Sequence, residues 1–181
     1  RLVKGKNFSN YLDAGDPVKT CIAHDSQFCD EISETPNAMV KNMSKFLDAD
    51  IILWAHPTNP LTNHLHYNDA LKKFRFYEKK GKDSLYAVSQ LNDYFWDHKK
   101  KPINHNPQEK VHTLLKKHQI KYIYIDNGAI YIRRKNDWIK DGRFWGKKGF
   151  MYVMNEVDGW DINTLWDLEA CKLKSFKNKI F

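Results

Sequence analysis

Three short segments carry residue types that could do chemistry on a charged substrate. Arg1–Asn7 (RLVKGKN) contains three cations and a glycine, and such a loop can hold phosphate groups by charge and through backbone amides. His56–Leu61 (HPTNPL) follows an apolar run, and loops at the carboxyl ends of strands are where open α/β sheets bind ligands. Gly159–Asn163 (GWDIN) precedes a helical pattern, so Asp161 could hold a divalent cation bound to phosphates. Each segment also has a plainer interpretation: a charged surface, a proline-stiffened turn and an acidic residue complementing a helix dipole.

The composition limits the kinds of protein this chain can be. It has 181 residues, 41% of them hydrophobic, which suits one domain with a sizeable core. The net charge of +8 favours anionic partners such as a nucleic acid, a nucleoside triphosphate or an acidic sugar. No zinc-finger or RNP-type signature accompanies the basic clusters, so we expect no nucleic-acid partner. Three cysteines without metal spacing, no membrane-length apolar run and a charged first segment that does not look like a signal peptide predict a cytoplasmic protein.

Hydrophobic periodicity predicts strands that alternate with helices. The predicted strands are Val18–His24, Ile51–Ala55, Ser84–Ser89, Gly128–Ile132 and Phe150–Val153, and the predicted helices are Ser26–Ser33, Asn37–Leu47, His66–Tyr77 and Thr164–Ser175. The last helix has Thr164 as an N-cap candidate and Asp167 at the N3 position, a carboxylate variant of the capping box. This alternation predicts an α/β three-layer architecture with a mostly parallel sheet.

One stretch, Asn92–Leu115, breaks this alternation. It contains two prolines and the aromatic trio Tyr94-Phe95-Trp96, and it follows neither a helical nor a strand period. A long irregular excursion in a compact domain usually has a function. An arm that packs on a second subunit is one such function.

Six motifs in order resemble those of the acylneuraminate (CMP-sialic acid) cytidylyltransferase family. They are Arg1–Asn7, Ala23–Ser26 (AHDS), His56–Thr62 (HPTNPLT), Asp83–Leu85 (DSL), Asn127–Tyr131 (NGAIY) and Asp161–Ala170 (DINTLWDLEA). The resemblance implies one Rossmann-like nucleotidyltransferase domain over 1–181, with a dimerisation arm at about 92–115. It also implies that the first strand and part of a Gly-rich loop, which would precede Arg1, are absent from this sequence.

The resemblance implies a reaction and a homodimeric enzyme that uses Mg²⁺. CTP and a nine-carbon keto acid sugar would give a CMP-sugar and pyrophosphate, a chemistry that depends mainly on positioning and on charge stabilisation. Matched position by position, Arg1, Lys6 and Asp161 would be catalytic. Nucleotide contacts would come from Arg1, Lys6, Asn7 and Asp25, sugar contacts from His56, Lys117, Tyr131, Phe144 and Trp145, and metal contacts from Asp161 and Asn163. The family's counterparts of Phe144 and Trp145 reach into the neighbouring subunit's site.

Several positions depart from the family pattern. His56 stands for a glutamine, Asn59 for a serine, Thr62 for an arginine and Asn163 for the second aspartate of the metal motif. Lys117 stands for an arginine, which keeps the charge but loses the bidentate geometry. These changes leave alternatives open: a different acceptor such as a 3-deoxy-octulosonate, or a catalytically impaired nucleotide-binding relative. A nucleic-acid binder remains a third hypothesis, which a salt-dependent shift of labelled RNA or DNA would support.

Overall fold

The computed structural model describes residues 36–108 and 121–177. Within these ranges it contains α1 (Pro36–Lys45), β1 (Ile51–Trp54), α2 (His64–Glu78), β2 (Ser84–Leu91), β3 (Ile123–Arg134), α3 (Lys135–Asp141), β4 (Gly149–Met154) and α4 (Leu165–Lys177). The predicted strand Val18–His24, the predicted helix Ser26–Ser33 and the end of the Asn92–Leu115 excursion lie outside the described residues. Every other predicted strand and helix has a counterpart, whereas the short α3 was not predicted.

The four described strands form one mixed sheet in the order β1-β3-β2-β4. β3 pairs antiparallel with both β1 and β2, whereas β2 and β4 are parallel. Two of the three pairings are therefore antiparallel, and the expectation of a mostly parallel sheet is wrong for this part of the chain. The physical reason is that an apolar run reports burial on both faces of a strand and not the strand's direction.

The connection from β2 to β3 explains the reversed strand. Leu91, the last residue of β2, lies opposite Ile123, the first residue of β3. The chain thus leaves the sheet and returns beside the point of departure, as in a hairpin with a very long connection. The irregular excursion predicted from Asn92 occupies this connection, and in its described part Trp96 and Pro102 form an isolated bridge.

Helices cover both faces of the sheet, which gives the three layers that the sequence predicts. On one face, Ala70 and Phe74 of α2 pack against Ile130 and Ile132 of β3. On the other face, Val40 of α1 and Trp138 of α3 form one cluster with Ile52 of β1 and Tyr131 of β3. Alternate residues of β3 therefore point into different cores, as the two-residue period of a strand requires. The arrangement is α/β and is compatible with a Rossmann-like domain.

Side-chain caps fix the starts of the two helices beside the candidate site. The Asn63 side chain accepts from the Leu65 amide, and the His66 ring accepts from the Asn63 amide, at the start of α2. At the start of α4, the Thr164 amide donates to Asp167 Oδ2 at 2.8 Å and the Asp167 amide donates to Thr164 Oγ1 at 3.2 Å. The predicted capping pair of α4 is therefore confirmed. Of the helices in the described ranges, each is too short or too polar to cross a bilayer.

Candidate active site

Asn59 joins three of the motifs found in the sequence. It follows β1 in the HPTNPL loop and is only 2% exposed. Its Nδ2 donates to the Asn127 carbonyl at 2.8 Å and lies 3.5 Å from the Gly159 carbonyl, so one amide contacts the NGAIY and GWDIN segments. A backbone bond of 2.9 Å from Ile162 N to Thr58 O closes the same junction. The three segments therefore meet at one end of the sheet.

Two glycines allow the loops to approach this closely. Gly128 has a φ of +73°, and a Cβ there would lie 3.2 Å from His56 Nδ1. Gly159 faces Asn127 so closely that a Cβ would lie 2.3 Å from Asn127 Nδ2. Asn127 in turn donates to Ser89 Oγ at 3.0 Å, which links the junction to the end of β2. Larger residues at either glycine would push the motifs apart.

A second set of contacts fastens Asp158, the residue before the GWDIN segment, to the start of α2. Thr62 Oγ1 donates to the Asp158 carbonyl at 2.8 Å, and the Asp158 carboxylate lies 3.1 Å from His66 Nε2. Because His66 Nδ1 accepts from the Asn63 amide, Nε2 carries the proton in this arrangement. Asn59 and Thr62, which differ from the family pattern, are thus buried links between loops.

Beside this junction opens a cleft of about 490 Å³. Five carboxylates line the cleft: Asp93, Asp126, Glu156, Asp161 and Asp167. Among the described residues, no lysine, arginine or histidine lines it. A strongly anionic cleft in a chain of net charge +8 is a local reversal of the overall charge. Such a cleft attracts cations and repels a bare triphosphate unless positive charge is brought in.

Asp161 and Asn163 lie together on one wall of the cleft. Asn163 Nδ2 donates to Asp161 Oδ2 at 2.9 Å. The other oxygen, Asp161 Oδ1, is shielded from solvent and has no hydrogen-bond partner. A buried carboxylate oxygen without a partner is costly unless something binds it. The pair is therefore able to accept a cation or a donor from a ligand.

Two aromatic side chains, Tyr131 and Trp145, donate hydrogen bonds to Asp126, one of the carboxylates that line the cleft. Tyr131 is buried and its hydroxyl donates to Asp126 Oδ1 at 2.8 Å. Burial raises the pKa of Tyr131 well above its usual range, and its bond to Asp126 and the charges of Asp126 and Asp161 raise the pKa further. The hydroxyl therefore stays protonated at every physiological pH. His56 and Phe144 pack against the same ring, at centroid distances of 5.7 and 4.6 Å.

The structure thus brings together six of the predicted site residues: His56, Tyr131, Phe144, Trp145, Asp161 and Asn163. Phe144 and Trp145 contact Tyr131 of their own chain. The other predicted site residues, Arg1, Lys6, Asn7, Asp25 and Lys117, lie outside the described residues. Sequence reasoning missed Asp126, Asn127 and Ser89 as parts of the site. Asp126 immediately precedes NGAIY, so its position beside a motif was the available signal.

No protein-family model matches the chain, and no curated protein matches it significantly. Support for a function therefore comes from the residues of the chain and from their geometry.

Proposed function

We propose that this chain is a CTP-dependent cytidylyltransferase that activates a nonulosonic, sialic-type sugar acid to its CMP-sugar and releases pyrophosphate. The observation that carries the proposal is the junction at Asn59, where the HPTNPL, NGAIY and GWDIN motifs meet beside a cleft that residues of NGAIY and GWDIN line. Motifs that resemble those of one enzyme family along the sequence thus lie beside one another in space. The mixed α/β sheet is compatible with the nucleotidyltransferase fold that the proposal requires.

The described residues fit a magnesium ion at Asp161 and Asn163. No group of three or more His, Cys, Asp or Glu side chains in the described ranges is arranged to hold a metal. Mg²⁺ in nucleotide sites, however, takes one or two carboxylates and completes its coordination with phosphates and water. The unpartnered Asp161 Oδ1 is an oxygen that such an ion would satisfy. When bound, the ion would neutralise charge on the triphosphate.

The protein's own residues would bind and orient the two substrates. The anomeric hydroxyl oxygen of the sugar forms the new bond to the α-phosphorus, its proton passes to solvent, and pyrophosphate leaves with the electrons of the broken P–O bond. Tyr131 and His56, whose rings pack together, would face the acceptor, and the protonated tyrosine is an uncharged group beside two carboxylates. Arg1, Lys6, Asn7 and Asp25 would bind the nucleotide, and Lys117 the sugar carboxylate, which together bring positive charge to an anionic cleft.

A pyrophosphate-release assay tests this function directly. The full chain is incubated with CTP, Mg²⁺ and a panel of acids that includes N-acetylneuraminic acid and 3-deoxy-octulosonate. We expect release with at least one acid, loss of at least about 100-fold in Asp161→Ala, and no change in Asp48→Ala. Asp48 is the matched control because it is exposed and precedes β1, whose other end carries the site. Undiminished turnover in Asp161→Ala would remove the proposed metal role.

A second candidate function is a nucleotide-binding relative with impaired catalysis. The bond from Asn163 Nδ2 to Asp161 Oδ2 favours it, because an amide occupies a carboxylate oxygen and supplies no charge of its own. Asn163→Asp separates the two candidates. In an active enzyme it strengthens Mg²⁺ binding with modest change in turnover, whereas in an impaired relative it creates activity that the wild type lacks. Unchanged Mg²⁺ affinity would contradict a metal site at this position.

We further propose that the protein is a homodimer held by the excursion that follows β2. In its described part, Trp96 and Ile103 are 52% and 55% exposed, which is unusual for large apolar side chains without a partner surface. The two rings of Tyr94 and Trp96 pack on His105 at 4.8 and 4.9 Å, so the excursion has a defined local structure. Deletion of Tyr94–Leu115 is expected to give monomers in sedimentation velocity, and an unchanged dimer would refute this role.

A further inference from the structure

Asp126 makes three hydrogen bonds at the edge of the cleft, and together they connect a buried ring to an exposed one. Its Oδ1 accepts from the Tyr131 hydroxyl at 2.8 Å and from the Gly128 amide at 3.0 Å. Its Oδ2 accepts from Trp145 Nε1 at 2.7 Å. Hydrogen bonds to a charged acceptor are stronger than neutral ones, so the carboxylate is an effective anchor.

Trp145 depends on this anchor more than Tyr131 does. Tyr131 is 5% exposed and is held by packing on all sides, whereas Trp145 is 51% exposed. The Trp145 ring touches Tyr131 and Phe144 only at their edges, with centroids 6.3 and 6.4 Å away. Without its bond to Asp126, the indole would be free to adopt other rotamers.

We propose that Asp126, which lines the cleft, is a positioning residue that fastens Trp145 beside Tyr131 of the same chain, so that an aromatic wall for the sugar acid is built within one protomer. This inference rests on the proposed function for the identity of the ligand, a sugar acid. A flat, partly exposed indole next to a buried tyrosine offers a surface against which the apolar face of a sugar ring packs. Asp126 itself acts through the two rings, since both its oxygens are already occupied by them and by the Gly128 amide.

The first experiment observes the contact itself. The indole N–H signal of Trp145 is assigned as the one that disappears in the ¹⁵N-correlated NMR spectrum of Trp145→Phe. We expect Asp126→Asn to shift this signal upfield, because an amide group accepts the indole hydrogen bond more weakly than a carboxylate or not at all. We expect the control variant Asp48→Asn to leave the signal in place. The remaining signals report whether each variant is folded. A Trp145 signal that does not move in Asp126→Asn overturns the anchor.

The second experiment follows the substrate. We expect Asp126→Asn to raise the KM for the acid about tenfold, the worth of one hydrogen bond to a charged group, with the KM for CTP unchanged and kcat within about twofold. Titration of the wild type with N-acetylneuraminic acid in the presence of CTP and Mg²⁺ is expected to move the Trp145 signal. If wild-type protein releases no pyrophosphate with any acid, the proposed function fails, and the titration still decides this inference. If no acid moves the Trp145 signal, the inference that Trp145 contacts the sugar acid is refuted.

Co-expression of two impaired variants, assayed with the acid at a low concentration, tests whether the wall is built within one protomer. Trp145→Ala lacks the indole and Asp161→Ala lacks the metal carboxylate. If each site takes both residues from one chain, the mixture shows no more activity than the sum of its parents. If Trp145 served the neighbouring subunit, mixed dimers would contain one complete site and activity would return. Restored activity overturns the inference.

Discussion

Replacement of Asn59 by alanine tests the junction on which the site depends. The side chain is almost fully buried and donates at 2.8 Å to the Asn127 carbonyl and at 3.5 Å to the Gly159 carbonyl. Asn59→Ala leaves the first carbonyl without its partner, at a cost of about 1–2 kcal/mol, and the longer bond adds about 0.5 kcal/mol. The small cavity that remains adds about 1 kcal/mol.

One contribution runs the other way. Asn59 Oδ1 is buried without a hydrogen-bond partner in the folded protein, and its removal returns about 1 kcal/mol. The net expectation is a loss of about 2 kcal/mol in the free energy of unfolding, measured by urea denaturation at pH 7. Asn136→Ala, on the exposed side of α3, is the matched control and is expected to change stability by less than about 0.5 kcal/mol.

Asn59→Asp is a sharper test because the aspartate side chain has nearly the same volume as asparagine but has an acceptor oxygen in place of the Nδ2 donor. The introduced carboxylate faces two carbonyl oxygens, so the loss at pH 7 exceeds that of the alanine variant. Burial raises the pKa of the introduced group, and the deficit shrinks as the pH falls and the carboxyl becomes a donor. Equal stability of wild type and both variants would refute the role of Asn59 as the link between the motifs.

Two further variants probe neighbouring contacts. Gly159→Ala puts a Cβ 2.3 Å from Asn127 Nδ2, and we expect a loss of about 1–3 kcal/mol in urea denaturation together with weaker CTP binding by calorimetry; unchanged values for both would contradict the tight approach. Burial raises the pKa of Asp141, but the hydrogen bonds from Arg133 and from the Arg143 amide and the charges of both arginines together lower it by more, so the net pKa lies below its usual value. The carboxylate therefore contributes stability at neutral pH that is lost as the pH falls through its folded pKa, and the stability gap between wild type and Asp141→Asn should close below about pH 4. A pH-independent gap would mean that the charge of Asp141 contributes nothing.

Sequence patterns predicted the elements whose signals are local. The run IILWA gave a strand at Ile51–Trp54, and the Thr164–Asp167 spacing gave the cap of the last helix. β3 begins at Ile123, before the predicted start at Gly128. The sequence did not predict this first part because Ile123 to Asp126 is exposed or half-buried and shows no clear alternation of apolar and polar residues. α3 was missed because KNDWIKD is short, charged and starts without a side-chain cap; its one buried residue, Trp138, holds it to the sheet.

The tertiary relations could not be predicted from such signals. The direction of β3 depends on where the chain returns after Leu91, which no local pattern encodes. The cleft residue Asp126 was missed for the same reason, since its role arises from its contacts with Tyr131 and with Trp145, which follows β3 by a whole helix. The gathering of the HPTNPL, NGAIY and GWDIN segments was expected only from the family resemblance, whereas the buried amide that joins them was not foreseen.

The position of β1 in the sheet has a consequence for how the chain acquires its structure. Among the described strands, β1 pairs only with β3, and Ile51 lies opposite Arg134. During synthesis on the ribosome, β1 must therefore wait until β3 has emerged before these bonds can form. Contacts so distant along the chain slow folding and leave apolar strands exposed in the meantime. The β2–β3 pair, by contrast, can assemble first and serve as the template on which β1 docks.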